Sequence, residues 1–311
     1  MDQVPACFIE SVLKNFGYGN RHEMKELSGL WGRTGNLYFK RGGSFCLSLV
    51  FDDRKEWSLY YRIDGFDHIK TRTLSRELVR EMSKTITSTS LHVSHKRLNT
   101  TWERINHKDA IVPLLLRLDA PDRILSILED KDIFTVLLSK YTEMLVKNSQ
   151  FLGNFTSISL TSFDDPHAIR LVEGLVSIER LRSLLFWTTM PVVLPSSLWN
   201  SFFLSKSFRR LTAPFRLDVV LGVVRQWKQM DPHTLMHSKV VRGFTASSNE
   251  FTDVVMTPVP MTSLNTKVLK KIEYEVARSS INSLFRIDHP ADPSRSLYVA
   301  FEECNCFLFF E

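Results

Sequence analysis

The sequence predicts an α/β fold, and three observations carry the prediction. Between Phe155 and Phe244 a short strand-like run followed by a longer helix-like run recurs, at Ser157–Leu160, Ser183–Phe186, Arg210–Thr212 and Lys239–Arg242. Aligned on Ile158, Leu184, Leu211 and Val240, these runs return every 26, 27 and 29 residues. From Ser44 to Arg62 the apolar period falls to two, and the chain ends in two apolar strand-like runs, Ser296–Phe301 and Phe307–Phe310. The spacing of the first set is close to the leucine-rich-repeat range, in which each unit is one strand plus one helix and needs neighbours to cover its apolar face. The units are uneven and lack the asparagine or cysteine of such repeats, so a true solenoid and a less regular α/β sheet of similar units both fit. The expected architecture is a short leucine-rich-repeat-like strand–helix body with an N-terminal amphipathic helix and β-hairpin and a C-terminal strand pair. The helix and hairpin occupy residues 1–62, and the body with its strand pair occupies 63–311.

Each element has its own signal. Val4, Phe8, Ile9, Val12, Leu13 and Phe16 fall at helical spacing, with Pro5 near the start and Gly17 past the end, which predicts an amphipathic helix. A loop with Gly17, Gly19 and Asn20 follows, and then Glu26–Gly32, read as a tight apolar turn around Trp31. Phe45, Leu47, Leu49 and Phe51 alternate with Cys46, Ser48 and Val50, and Trp57–Arg62 resumes the pattern after Asp52 and Asp53. Two such runs around a polar turn predict an antiparallel hairpin. A helix is expected at Leu74–Lys84, a strand at Ser90–Ser94, and helices at Asp109–Leu118, Pro121–Glu129 and Asp132–Lys147. In the repeat-like stretch, helices are expected at Asp165–Ile178, Ser196–Leu204 and Leu217–Met230. Thr245–Ser263 is polar and reads as a loop with one short strand near Phe251–Met256, and a helix is expected at Leu269–Ser280. A terminus as apolar as the closing runs must be tied into a sheet, since left free it would aggregate.

Composition bounds the function classes. At 311 residues, with 43% hydrophobic and 11% aromatic residues, the chain can bury one large or two ordinary cores. Forty Lys and Arg against 34 Asp and Glu leave a charge of +6, but no run of four or more basic residues makes a phosphate-tracking stripe. The densest basic cluster, Lys206, Arg209 and Arg210 with Arg216 beyond, is interleaved with Phe208, Leu211 and Phe215. It reads as the solvated rim of a helix and strand, with nucleic-acid contact as the alternative. Cys7, Cys46, Cys304 and Cys306 are too few for a disulfide framework and read as free thiols in a reducing compartment. No signal peptide is read at the start, and the longest apolar run, Ile111–Leu116, is too short to span a bilayer. Asn99 and Asn154 match the glycosylation acceptor pattern, which has no role without secretion. A cytoplasmic or nuclear address without a membrane partner is expected.

Catalytic and metal-binding patterns find little support. His233 and His237 have helical i, i+4 spacing, but Thr234 stands where a metalloprotease needs Glu, and no third ligand is in view. His92 and His95 fall on opposite faces of a predicted strand. Cys304 and Cys306 have no second cysteine pair, and their spacing is not the redox Cys-x-x-Cys. The glycines at 17, 19, 42 and 43 fit neither a phosphate loop nor a dinucleotide fingerprint, and Gly-x-Ser-x-Gly does not occur. Asp52 with Asp53, and Asp164 with Asp165, sit where a turn and a helix start already call for Asp. No cofactor, metal or catalytic residue is assigned.

The opening Met-Asp-Gln-Val-Pro-Ala-Cys-Phe-Ile-Glu10 resembles the start of a large set of nematode F-box-like proteins, often grouped with F-box-associated proteins. The likeness extends to Ser44-Phe-Cys-Leu-Ser-Leu-Val-Phe-Asp52 with Trp57-Ser-Leu-Tyr60, and to His289-Pro290 ahead of Leu297-Tyr-Val-Ala-Phe301 and the Phe-rich end. The resemblance implies an N-terminal helix docking the adaptor of a cullin ubiquitin ligase through Val4, Pro5, Phe8, Ile9, Val12 and Leu13, with the body recognising a substrate. The sequence departs from a full three-helix F-box, since after Phe16 only the Leu27–Gly32 turn precedes the strands; the first helix packing on the body is the other reading.

The expected function is therefore a non-enzymatic protein-interaction module, a substrate-recognition subunit or a scaffold. The alternatives are a nucleic-acid-binding module using the cluster near Arg209 and a diverged enzyme. Partner contact is expected at the polar strand positions Ser157, Ser159, Arg182, Arg209, Arg210 and Arg242.

Overall fold

The computed structural model describes residues 4–15, 26–51, 56–95, 101–106, 109–128, 131–147, 155–161, 165–177, 179–188, 194, 196–235, 238–251, 254–275, 281–302 and 305–311. It is a mixed α/β structure that divides into two compact units, Met1–Ser159 and Leu160–Glu311.

In the first unit α1 (Ala6–Asn15) starts directly after Pro5, whose carbonyl accepts the amides of Phe8 and Ile9 at 3.0 and 3.3 Å. Ile9 and Leu13, four residues apart on one helix face, are fully buried with Tyr38 of α2 (Gly29–Arg41), and Val4, Leu30 and Trp31 flank them. The expected turn at Glu26–Gly32 is thus corrected: it leads into a 13-residue helix. Its glycines cost a helix roughly 1 kcal/mol each relative to alanine, and contact with α1 outweighs that local preference.

β1 (Gly43–Phe51) and β2 (Trp57–Gly65) form the expected antiparallel hairpin, with Leu47 opposite Tyr61. The domain boundary expected after Arg62 falls inside β2. Ser75 caps α3 (Arg76–Thr85) by accepting the Leu78 amide on Oγ at 3.1 Å. β3 (Ile86–Ser94) then runs parallel to β1, and β4 (Glu103–Ile105) adds antiparallel to β2. A short α4 (Val112–Leu116) precedes β5 (Asp122–Ile127), which is parallel to β3, and α5 (Lys131–Lys147) lies against both β3 and β5. The order in this unit is β5-β3-β1-β2-β4. Two expectations fail here: Asp109–Leu118 holds a helix of only five residues, and Pro121–Glu129 is strand where helix was expected. Leu47, Leu91 and Leu125 stand in register on one buried face.

The division between the units falls inside β6 (Ser157–Leu160). The second unit continues as α6 (Pro166–Ser177), β7 (Ser183–Phe186), α7 (Ser196–Leu204), β8 (Arg210–Thr212), α8 (Leu217–Gln229) and β9 (Lys239–Phe244). β7, β8 and β9 are parallel neighbours, each joined to the next by one helix, the connection parallel strands require. The remaining elements are β10 (Thr257–Pro258), α9 (Thr266–Glu275), β11 (Ser283–Asp288), β12 (Ser296–Phe301) and β13 (Cys306–Phe310). β13 pairs antiparallel with β9, and β12, β11 and β10 add in turn, giving β10-β11-β12-β13-β9-β8-β7. The strand expected at Phe251–Met256 lies at Thr257–Pro258, and β11 was not expected.

Leu184, Leu211, Val241, Leu308 and Val299 form one in-register row across five strands, all at 0% exposure. Each such side chain contributes on the order of 1.5–3 kcal/mol by leaving water. Helices α7 and α8 cover this face, with Phe203 and Trp227 edge-on to Phe310 at 5.2 and 5.9 Å. The register corrects the alignment of the fourth run: Leu211 lies opposite Val241, and Val240 lies opposite Arg210.

Candidate partner-binding face

On the opposite side of the same sheet, α9 covers one half. Val240, Phe309, Tyr298, Phe307, Ala300 and Leu284 are buried there with Val268 and Ile272 of α9. Beyond Val240 come the β7 and β8 positions that alternate with the buried row: Ser183 opposite Arg210, and Leu185 opposite Thr212, which in turn faces Arg242 on β9. All five are half-buried. The Trp187 amide donates to the Leu160 carbonyl at 2.9 Å, which carries the extended backbone of β7 one residue further. Exposure keeps alternating to that point: Leu184 and Phe186 are buried and Trp187 is 62% exposed. Trp187 therefore continues the Ser183–Leu185 side. The Arg242 guanidinium donates to Glu302 at 3.2 Å, and the carboxylate is only 9% exposed, so this pair is held in place.

The six residues expected to bind a partner separate into three groups. Arg210 and Arg242 lie on the face just described. Arg182 and Arg209 have the strand parity of Leu184 and Leu211, at the start of β7 and β8, and the Arg182 carbonyl accepts the amides of Arg209 and Arg210 at 2.8 and 2.9 Å. Ser157 and Ser159 are half-buried on β6, alternate with buried Ile158 and Leu160, and belong to the first unit.

Lys239, at the first position of β9, escaped sequence reasoning. Its register places it on the helix-covered side, opposite Phe310, with 0% exposure. Nζ donates to the carbonyls of Ser205 and Phe208 at 2.5 and 2.6 Å and lies 5.5 Å from the Phe202 ring centre. Burial, and then the charge of Arg209, push the ammonium down to about 8. His289, directly after β11, is likewise buried, its Nε2 3.0 Å from the carbonyl of Trp227 on α8 and its Nδ1 accepting the Ala291 amide at 3.2 Å. The accepting Nδ1 fixes Nε2 as the donor to Trp227.

In the first unit Ser48, His92 and Ser126 stand in register across β1, β3 and β5. Trp102 lies edge-on to His92 at 6.1 Å, with the Arg62 guanidinium 5.2 Å over its ring. Burial, and secondarily the Arg62 charge, hold His92 below the usual imidazole range. Of the residues expected to dock an adaptor, Ile9 and Leu13 are spent on the contact with α2, Val4 flanks that contact and Val12 is half-buried. Pro5 and Phe8 are exposed, Phe8 at 54% with its ring edge-on to Trp31 at 6.4 Å.

An open groove of about 500 Å³ runs between α6 and α7, walled by Glu173, Val176, Glu179, Leu198 and Leu204. Among the described residues no three His, Cys, Asp or Glu side chains are placed to hold one metal, and no helix is long and apolar enough to cross a membrane. Gly17, Gly19, Asp52, Asp53, Asn99, Asn154, Asp164, His237 and Cys304 lie outside the described residues. Cys46 and Cys306 are buried free thiols, and burial pushes the Cys306 thiol up.

No family model and no curated protein matches the sequence.

Proposed function

We propose that the chain is a non-enzymatic protein-interaction module with a leucine-rich-repeat-like body, acting as a substrate-recognition or scaffold subunit in the cytoplasm or nucleus. The observation that carries this reading is Trp187, 62% exposed on the same side of the sheet as half-buried Leu185 and Thr212, a side that α9 covers further along. Trp and Arg are the side chains that most often dominate binding energy at protein interfaces. The nucleic-acid reading of the Arg209 cluster has weaker support, because its interleaved rings, Phe208 and Phe215, are 0% and 5% exposed and offer no base a stacking surface. A link to a ubiquitin ligase through α1 rests on the family resemblance and on exposed Phe8.

Affinity capture with the full chain tests the face. Trp187→Ala and Arg210→Glu are each expected to lower recovery of a specific partner by about tenfold or more while leaving thermal unfolding unchanged. Recovery equal to that of the parent from both folded variants removes this face from the function.

A further inference from the structure

Of the 12 prolines in the chain, Pro258 alone follows a serine or threonine. That residue, Thr257, is exposed, and the two form β10, which ends the strand order of the second unit. A residue before proline is held out of the helical region, so Thr257 is presented on extended backbone. Open chain flanks it: Val255, two residues back, is 86% exposed, and Pro260 is exposed beyond it. Thr257 pairs opposite Arg286 of β11 and Pro258 opposite Phe285, with one further bond from the Val259 amide to the Leu284 carbonyl at 2.9 Å. An edge contact this short opens locally at low cost.

The residue opposite Thr257 has donors to spare. Directly opposed residues of an antiparallel pair have Cβ atoms about 5 Å apart on one side of the sheet. Arg286 donates from Nε to Asp288 at 2.6 Å and from Nη2 to the Pro293 carbonyl at 3.1 Å. Its Nη1 has no partner among the described residues, and the side chain is 39% exposed. Asp288 also accepts from Ser296 Oγ at 3.2 Å, so it does not depend on Arg286 alone.

We propose that Thr257 is a phosphorylation site for a proline-directed protein kinase, and that Arg286 receives the phosphate. The Thr257 hydroxyl oxygen bonds to the γ-phosphorus of ATP as the bond to the β,γ-bridging oxygen breaks; ADP leaves, and the hydroxyl proton passes to the kinase's base. The product carries a charge of about −1.5 to −2 and three acceptor oxygens, which a guanidinium meets with paired N–H donors. The new contact fastens the segment around Pro258 and Pro260 to β11 and makes this edge of the sheet more anionic. The site lies at the far end of the strand order from β7, so it does not depend on what the Trp187 side binds.

Incubation of the folded full chain with ATP and a cyclin-dependent or mitogen-activated kinase tests this, with the phosphate located by mass spectrometry and titrated by phosphorus NMR. Incorporation is expected at Thr257, retained in Thr257→Ser and lost in Thr257→Ala and Pro258→Ala. Arg286→Gln is expected to leave incorporation intact and to change the titration. The second ionisation of phosphothreonine, ordinarily near about 6, is expected to lie lower by about 1 in the parent than in Arg286→Gln. Phosphate absent from Thr257, or taken up equally by Thr257→Ala, overturns the site. Equal titration midpoints in the parent and Arg286→Gln overturn the role of Arg286.

Discussion

Lys239 Nζ donates to the Phe208 carbonyl at 2.6 Å from a position with no solvent exposure, so the second unit folds around a buried ammonium. Its folded-state value of about 8 lies below the ordinary 10.5. Below about pH 8 the lysine is charged in both states and folding bears the full desolvation cost. Between about 8 and 10.5 the unfolded chain binds more protons than the folded one, so stability rises with pH. The gain across that window is on the order of 3 kcal/mol. Lys239→Met removes the titration but leaves two carbonyls without their donor, so its absolute stability is not the readout. The parent-minus-variant difference from urea unfolding is expected to climb through the window, and a flat difference contradicts the buried-ammonium account.

Two glycines are expected to respond to alanine in opposite directions. A Cβ at Gly43 would collide with the buried Phe66 ring and sit 2.6 Å from the Asp64 carbonyl oxygen. Phe66 has little freedom to withdraw, since it is 0% exposed and held at a φ of 54°. Gly43→Ala is expected to cost about 2–4 kcal/mol. A Cβ at Gly174, within α6, meets nothing within 4 Å, and Gly174→Ala is expected to stabilise by about 0.5–1 kcal/mol. Urea midpoints of the two variants, measured together, check both signs.

The legible parts of the fold were those with one buried face and one polar face. Ile158, Leu184 and Leu211 each sit between more exposed neighbours, and their strands were found with the correct ends. β9 runs Lys-Val-Val-Arg with Val240 under α9 and Val241 under the helix-covered row, so burial on both faces erased the alternation and the frame slipped by one. β5 failed for a related reason, since Ile124, Leu125 and Ile127 form a short apolar run that periodicity alone cannot assign to helix or strand. α2 was hidden by its glycines. Of the interaction face, Arg210 and Arg242 were found from strand polarity, whereas Trp187 was missed because nothing local distinguishes an exposed tryptophan from a core one. Lys239 was missed because burial of a lysine depends on carbonyls more than 30 residues away.

The adaptor-docking idea separates two residues that look equivalent in sequence. Leu13 is 0% exposed within the α1–α2 contact, and Leu13→Asp places a charge there, with an expected loss of about 3 kcal/mol or more. Phe8 is 54% exposed, and Phe8→Asp is expected to leave stability within about 1 kcal/mol of the parent. Only Phe8→Asp therefore tests docking cleanly. If α1 docks a ligase adaptor, pull-down with purified adaptor succeeds for the parent and fails for folded Phe8→Asp. Equal recovery of both, or none for either, ends the docking reading.

Glu302 anchors the Arg242 guanidinium on the edge of the sheet face. Its carboxylate is only 9% exposed and accepts from the Arg242 guanidinium at 3.2 Å, next to Thr212 on the interaction face. Glu302→Gln keeps the shape and an acceptor oxygen but removes the negative charge. Stability is expected to fall by about 1–3 kcal/mol, because a largely buried charge-assisted bond is weakened. Urea midpoints of the parent and Glu302→Gln, measured together, read the difference. An unchanged midpoint would mean that the pair adds nothing to stability.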